Sequence, residues 1–482
     1  MIPQEISQHK PKGTEIQCKG GKYYVATVAA YYENGVSKRR YGQAIGKIIP
    51  NIGFVPNKKG VLESDLVTKE YGATRTITAL SEDVLQQLRK FFPHDFMRIY
   101  VLAVLKLLNN LSSKDLSLAY AKSAISIMMP GVHLSRNTVG DFLSAFSLQR
   151  GGMLQFMRAC SGYEGDSVIF DGTSFLSSSG CNPFVKKGYS PGHRGKAQIR
   201  LMYAFNTETH MPIYFKVIPG NITDKAAFIA AYEEMGSEKC TLILDKGFVK
   251  QKIIDFILGN GARIIIPLPS NTAEVGDSYK DFIAADRHGV NKSFQYNKRV
   301  VRYARFESKR FAGCKVYVYY DYQRHQYLTE NYMKKDLTEE QESNLLEDTK
   351  KFGVSILLTN IGDRDARQIY YDYKTRWLIE EMFDTHKNTL GFKMNYETSL
   401  ATQEAWAFIE YLSLLMYYRI HAKIISADIA SGFDVKDLLF QASTITQSKT
   451  NGTWSICNMT EKTATLFQKL NVSLEPFKCP IP

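Results

Sequence analysis

Between residues 166 and 269, apolar runs too short for helices alternate with stretches of helical period, and this order limits the fold more than any other feature of the chain. "DSVIFDG" reads as a short buried strand and "KAQIRLMYAFNTETHMPIYFKVIPGN" as a hairpin. "TDKAAFIAAYEEMG" reads as a capped amphipathic helix, "CTLILDKG" as a second buried strand, "FVKQKIIDFILGNG" as a helix and "ARIIIPLP" as a further strand. Three strands, then helix, strand, helix and strand, predict a mixed α/β sheet.

Two acids stand at telling places in that order. Asp171 closes the apolar run Val168-Ile169-Phe170 and precedes Gly172, while Asp245 closes Leu242-Ile243-Leu244 and precedes Lys246-Gly247. Ligands of such sheets gather beyond the carboxyl ends of the strands, so the two carboxylates are expected to converge there. An Asp before Gly at a strand end is often only a turn former, and neither acid is informative alone.

The third element is "YDYKTRWLIEEMFDTHK", residues 371–387. At about 100° per residue, Tyr373, Arg376, Glu380 and Lys387 fall within roughly 60° of one another and share one helical face. Glu380 is a candidate third oxygen ligand. Its alternative is a helical ion pair with Arg376 or with His386. Three carboxylates without His or Cys suit a hard cation, Mg²⁺ or Mn²⁺. Two such ions about 3.5–4 Å apart serve in-line phosphoryl transfer by activating an attacking hydroxyl and stabilising a leaving 3′ oxygen. Arg376 then grips phosphate through two donors, Lys387 adds a point charge, and Tyr373 adds a hydroxyl and a stacking surface. The alternative is that both cations merely neutralise nearby acids. Trp377 is expected to pack.

Charge agrees with a polyanionic partner. Sixty-one basic against 48 acidic residues give +13 and an isoelectric point near 9.1. Seven cysteines without a CxxC pair argue against a disulfide framework and a structural zinc site, and point to a reducing cytosol. No apolar run approaches the length that spans a bilayer, and the first residues carry no apolar leader, so the expectation is a cytoplasmic protein without membrane partners.

The flanks divide by composition. Residues 1–70 form a basic β-rich module with ten Lys or Arg in the first 60 positions and a hairpin turn at Asn34-Gly35. Residues 80–160 are helical: Ser81 is expected to cap "EDVLQQLRKFF", Pro93 forces a break before the next helix, and "KDLSLAYAKSAI", a Pro-Gly turn and "LSRNTVGDFLSAF" suggest a helix-turn-helix with Ser135 capping its second helix. Residues 161–269 and 354–425 form the core. Residues 270–353 are a Tyr-rich, mainly β insertion, with 11 Lys or Arg between Lys292 and Lys335, and 426–482 form a tail region.

With "IFDGTSF", "IPGNITDK" and "LILDKGF", the sequence "YDYKTRWLIEEMFDTHK" resembles bacterial insertion-sequence transposases of the DDE superfamily, the group with a Tyr-x2-Arg-x3-Glu-x6-Lys signature, over roughly residues 165–425. The resemblance implies a ribonuclease H-like core with Asp171, Asp245 and Glu380 as a catalytic, metal-binding triad, and DNA contacts from Tyr373, Arg376 and Lys387. It also implies a homodimer assembled on double-stranded DNA that cuts an element at terminal inverted repeats and joins it to target DNA. Relatives that excise through a DNA hairpin stack a Trp of the insertion on a flipped base, and no Trp lies between Asp245 and Arg376 here. Tyr offers an adequate stacking surface in its place. Two other readings remain at this stage: a DNA-binding repressor without catalysis, and a ribonuclease H-like nuclease of branched or hybrid substrates.

Overall fold

The computed structural model describes residues 2–478 except 34, 51, 58–65, 110–113, 162–165, 191–192, 237–238, 288, 290, 335–337, 346–348, 393 and 396. The chain forms two compact units. The first comprises residues 1–69 with 446–457. Its strands β1 (Thr14–Lys19), β2 (Lys22–Glu33), β3 (Val36–Ile49) and β4 (Gly53–Pro56) form an antiparallel sheet in that order. Ile6, Ile16, Val25 and Ile48 make its small core. Glu33 pairs with Val36 and Gly35 has a φ of +77°, as a two-residue hairpin turn requires, while Asn34 lies outside the described residues. From Val36 to Ala44 every residue of β3 is exposed, so the distal hairpin is a two-stranded ribbon. Strand β5 (Leu66–Glu70) joins a second, three-stranded sheet with a hairpin from the far end of the chain, Thr446–Thr450 and Thr453–Cys457. No local pattern in the sequence announces that partnership.

The second unit, residues 70–445 with 458–482, holds the helical region and the large sheet. Pro93 ends the helix Glu82–Phe91 as expected, and Phe92 then packs edge-on against Phe146 and Phe408. Ser81 does not cap that helix with its side chain. Its hydroxyl donates back to the Ile77 carbonyl at 2.6 Å. The helix-turn-helix segment resolves into Leu116–Lys122, Ile125–Met128 and Arg136–Phe146, with the Ser135 side chain accepting from Thr138 N–H. The 27-residue helix Leu400–Ser426 is buried on nearly every face against the helix Phe96–Asn109 and the sheet. Among the described residues no helix is long and apolar enough to cross a membrane.

The large sheet starts with β6 (Ser167–Ser177), followed by β7 (Lys186–Lys187), β8 (Ala197–Asn206) and β9 (Met211–Pro219). Strand β8 is antiparallel to β6 and β9 antiparallel to β8, and β10 (Thr241–Ile243) runs parallel to β6, with β11 (Arg263–Pro267) parallel to β10. The order β9-β8-β6-β10-β11, three antiparallel strands followed by two parallel ones with crossover helices Asp224–Met235 and Gln251–Gly259, is the ribonuclease H-like arrangement. β12 (Lys292–Tyr296), β13 (Arg299–Glu307) and β14 (Lys315–Asp321) belong to the insertion. They do not form a sheet apart: β14 pairs with β15 (Val354–Thr359), which pairs with β11, so the insertion extends the same sheet.

Candidate active site

The two aspartates owe their position to strand register. β10 runs beside β6 with Ile243 opposite Ile169, and carrying that register forward two residues sets Asp245 level with Asp171. There the strands part: β10 ends at Ile243, and Asp245 caps a single turn, Lys246–Phe248, by accepting from Gly247 N–H at 3.4 Å. Asp171 does not end its strand. β6 continues to Ser177 on the arm of β8, with Asp171 opposite Tyr203, because the pairing lost on the β10 side is retained on the other.

The helical signature closes over this edge. It is two helices, Ala366–Lys374 and Trp377–Asp384, followed by a π-helical turn at Thr385–Thr389, and Thr375 and Arg376 keep right-handed backbone angles across the break. The stripe survives. Arg376 hydrogen-bonds the Glu380 carboxylate and reaches Asp171 Oδ2 at 3.5 Å, and its charge acts on the Tyr373 hydroxyl. Lys387 Nζ sits 5.2 Å from the Phe175 ring, further along β6. From Arg376 to Lys387 a helix advances about 16 Å, and from Asp171 to Phe175 a strand advances about 13 Å, so the signature lies along β6.

The helical ion pair expected as Glu380's alternative role is therefore formed, with Arg376 and not with His386. His386 is fully buried, 3.6 Å from Glu410, and burial holds its imidazole at about 3, neutral. Yet the pair is more than a surface ion pair, since one guanidinium serves two carboxylates from different elements. The Asp171 carboxyl is pushed up to about 7, chiefly by burial, then by Asp224 and Asp245, against the pull of the Gly172 amide and Arg376. The signature lysine is also held low, by burial and by Arg200 beside it. The structure thus gathers Asp171, Asp245, Glu380, Tyr373 and Arg376, with Lys387 at the far end of the stripe.

Two participants escape a reading of the sequence. Asp224, at the start of its helix, ion-pairs with Arg200 of β8 and crowds Gly172, where a Cβ would lie 1.9 Å from Asp224 Oδ1. That oxygen is buried and, among the described residues, accepts no hydrogen bond. In sequence an Asp in a first helical turn reads only as a favourable partner of the helix dipole; the Gly in "FDG" was the available signal of close approach. Trp377 corrects an expectation outright: it is 57% exposed, because the helical break leaves it on the outer face beside Arg376.

The donors present are hard oxygens, and Asp171 is a carboxyl that lacks sufficient positive charge, so the set fits Mg²⁺ or Mn²⁺ by chemistry. It is not a ready cage. Among the described residues no three of His, Cys, Asp and Glu converge as a metal site, and Arg376 occupies the point where the charges meet.

A family model, the transposase DDE domain, matches residues 163–416, just over half of the chain. This chain belongs to the DDE transposases. Among solved structures, the piggyBac transposase synaptic complex with hairpin DNA, determined by cryo-EM, aligns with 77% of this transposase and 78% of its own chain at 12% identity and a TM-score of 0.41. No curated protein matches it.

Proposed function

We propose that this transposase serves a bacterial insertion sequence, cleaving and joining DNA at the element's terminal inverted repeats by divalent-metal-dependent phosphoryl transfer, as a homodimer assembled on double-stranded DNA in the cytoplasm. The observation that carries the reading is the sharing of Arg376 between Asp171 and Glu380, with Asp245 beside them, at the edge of a ribonuclease H-like sheet. A guanidinium held between acids of separate elements marks a place that requires positive charge.

Asp171, Asp245 and Glu380 would hold Mg²⁺ or Mn²⁺, two ions, which when bound supply the charge that activates an attacking hydroxyl and stabilises a leaving 3′ oxygen. Arg376, relieved of the acids, turns its two donors to a DNA phosphate. Tyr373, whose hydroxyl feels the Arg376 charge, orients it. Lys387 meets the backbone further along β6. The basic first unit contributes end binding, and its exposed ribbon has a shape that the major groove of B-DNA admits. Exposed Tyr322 and Tyr327 offer stacking surfaces on the insertion, where Trp is absent.

The test is cleavage of DNA ends by Asp171→Ala, Asp245→Ala and Glu380→Ala. Each is expected to abolish strand cleavage while end binding in a gel shift persists; a variant that cuts at the wild-type rate removes its residue from the triad.

A further inference from the structure

On the insertion side of the signature, one buried carboxylate, Asp321, ion-pairs with Arg299 and acts on a second cation, Lys374, which also feels Arg324. Asp321 is 2% exposed; its Oδ1 accepts the Arg324 N–H at 2.9 Å and its Oδ2 lies 3.0 Å from Arg299. The Arg299 guanidinium also sits 5.7 Å from the Tyr296 ring, which meets Tyr370 edge-on at 5.2 Å, and Lys374 Nζ lies 4.7 Å from the other partner of that contact, Tyr370. Among the described residues neither Lys374 nor the Arg324 side chain forms an ion pair. The cluster carries three positive charges against one negative.

Such crowding has a cost. Burial and then Arg324 hold the Lys374 ammonium down at about 8, with Arg299 adding to the repulsion and Asp321 opposing it. A lysine kept half-buried beside two guanidinium groups gains little from Tyr370 alone, whereas an anion seated among the three would relieve all of the repulsion. The tyrosine wall of Tyr296 and Tyr370 excludes water on one side and strengthens any charge contact made there. Arg324 and Asp245 both act on the Tyr373 hydroxyl, in opposite senses, so that tyrosine feels the cluster and the acidic edge alike.

We infer that Arg299, Arg324 and Lys374 form a seat for one phosphodiester of the DNA backbone, on the strand that passes the Tyr373 side of the acidic edge. Two guanidinium forks and one point charge match the two non-bridging oxygens of a phosphodiester. The inference rests on the DNA-cleaving function proposed above and adds a contact outside the four-residue signature. The seat positions the strand and reads no sequence.

The test uses the full-length protein and fluorescence anisotropy with a mixed-sequence DNA duplex, titrated over a range of salt without divalent ions. Lys374→Met and Arg324→Gln are each expected to weaken binding several-fold and to reduce the slope of log affinity against log salt by about 0.9. Lys374→Arg is expected to restore the slope. Melting temperature serves as the folding control, and Lys374→Met is expected to match or exceed the wild type because like-charge crowding is removed. Wild-type affinity and slope in both Lys374→Met and Arg324→Gln, in a protein that still binds and cleaves DNA, would overturn the seat alone. A wild-type protein that fails to bind duplex DNA would overturn the proposed function and the seat together.

Discussion

The acidic edge and the basic cluster both act on Tyr373 and are opposite in charge by the same device. At the edge, Asp171 and Glu380 share Arg376, which also feels Asp245; in the cluster, Asp321 pairs with Arg299 and opposes the repulsion that Arg299 and Arg324 exert on Lys374. Each side is short of the ion that it would meet at work, a divalent cation on one and a phosphate on the other. Both shortages show in the titrating groups, Asp171 pushed up to about 7 and Lys374 down to about 8. Neither group would sit so in a protein built for stability alone, and the cost is accepted where binding takes place.

The largest expected effect breaks the acidic side. Loss of any one of the three carboxylates is expected to lower cleavage by at least about a thousandfold, the upper range for removing a single charge-stabilising group from an active site. Arg376→Gln separates its two roles. Without DNA, Mn²⁺ is expected to bind Arg376→Gln more tightly than wild type, since the competing guanidinium is gone, while cleavage falls about tenfold to a hundredfold as the phosphate grip is lost. Isothermal titration and a cleavage assay on the same preparation check both; weaker Mn²⁺ binding would mean that Arg376 supports the ion and does not stand in for it.

The pH dependence sharpens the comparison. The folded Asp171 carboxyl titrates at about 7 against an ordinary 3.8, so the folded chain keeps a proton that the unfolded chain releases. The stability this contributes is full below about 3.8 and is lost as pH rises through 7, an upper bound of about 4 kcal/mol at 1.36 kcal/mol per unit. Asp171→Asn is accordingly expected to raise the melting temperature of the ion-free protein at pH 8 by a few degrees and to change it little near pH 4. The smallest expected effect belongs to Trp377. As an exposed side chain its replacement by Ala is expected to shift stability by no more than about 0.5 kcal/mol in denaturant unfolding. If Trp377 instead packed as its sequence setting suggested, the loss would reach about 3 kcal/mol.

The core was legible because its signals are local. Apolar runs ending in Asp171 and Asp245, the helical phase of Tyr373, Arg376, Glu380 and Lys387, and the capping role of Ser135 each depend on a few neighbouring residues. What escaped depends on pairing across the chain. β14 meets β15 and welds the insertion to the sheet, β5 finds a partner in a hairpin near residue 450, and Asp224 comes against Gly172 through a crossover helix. Trp377 was misplaced for a subtler reason: the helix breaks at Thr375, and a phase argument that assumes one continuous helix does not see where the outer face begins. Arg376 as the shared counter-ion was hidden likewise, since helical spacing pairs it with Glu380 but says nothing of Asp171.

Electron paramagnetic resonance of Mn²⁺ added to the full-length protein with duplex DNA tests the central claim most directly. Wild type is expected to bind the ion at a protein site, and Asp171→Asn, Asp245→Asn and Glu380→Gln are each expected to weaken that binding by at least about tenfold. Undiminished Mn²⁺ binding in all three folded variants would contradict the account, because the acids whose charge Arg376 feels would then have no part in holding a cation.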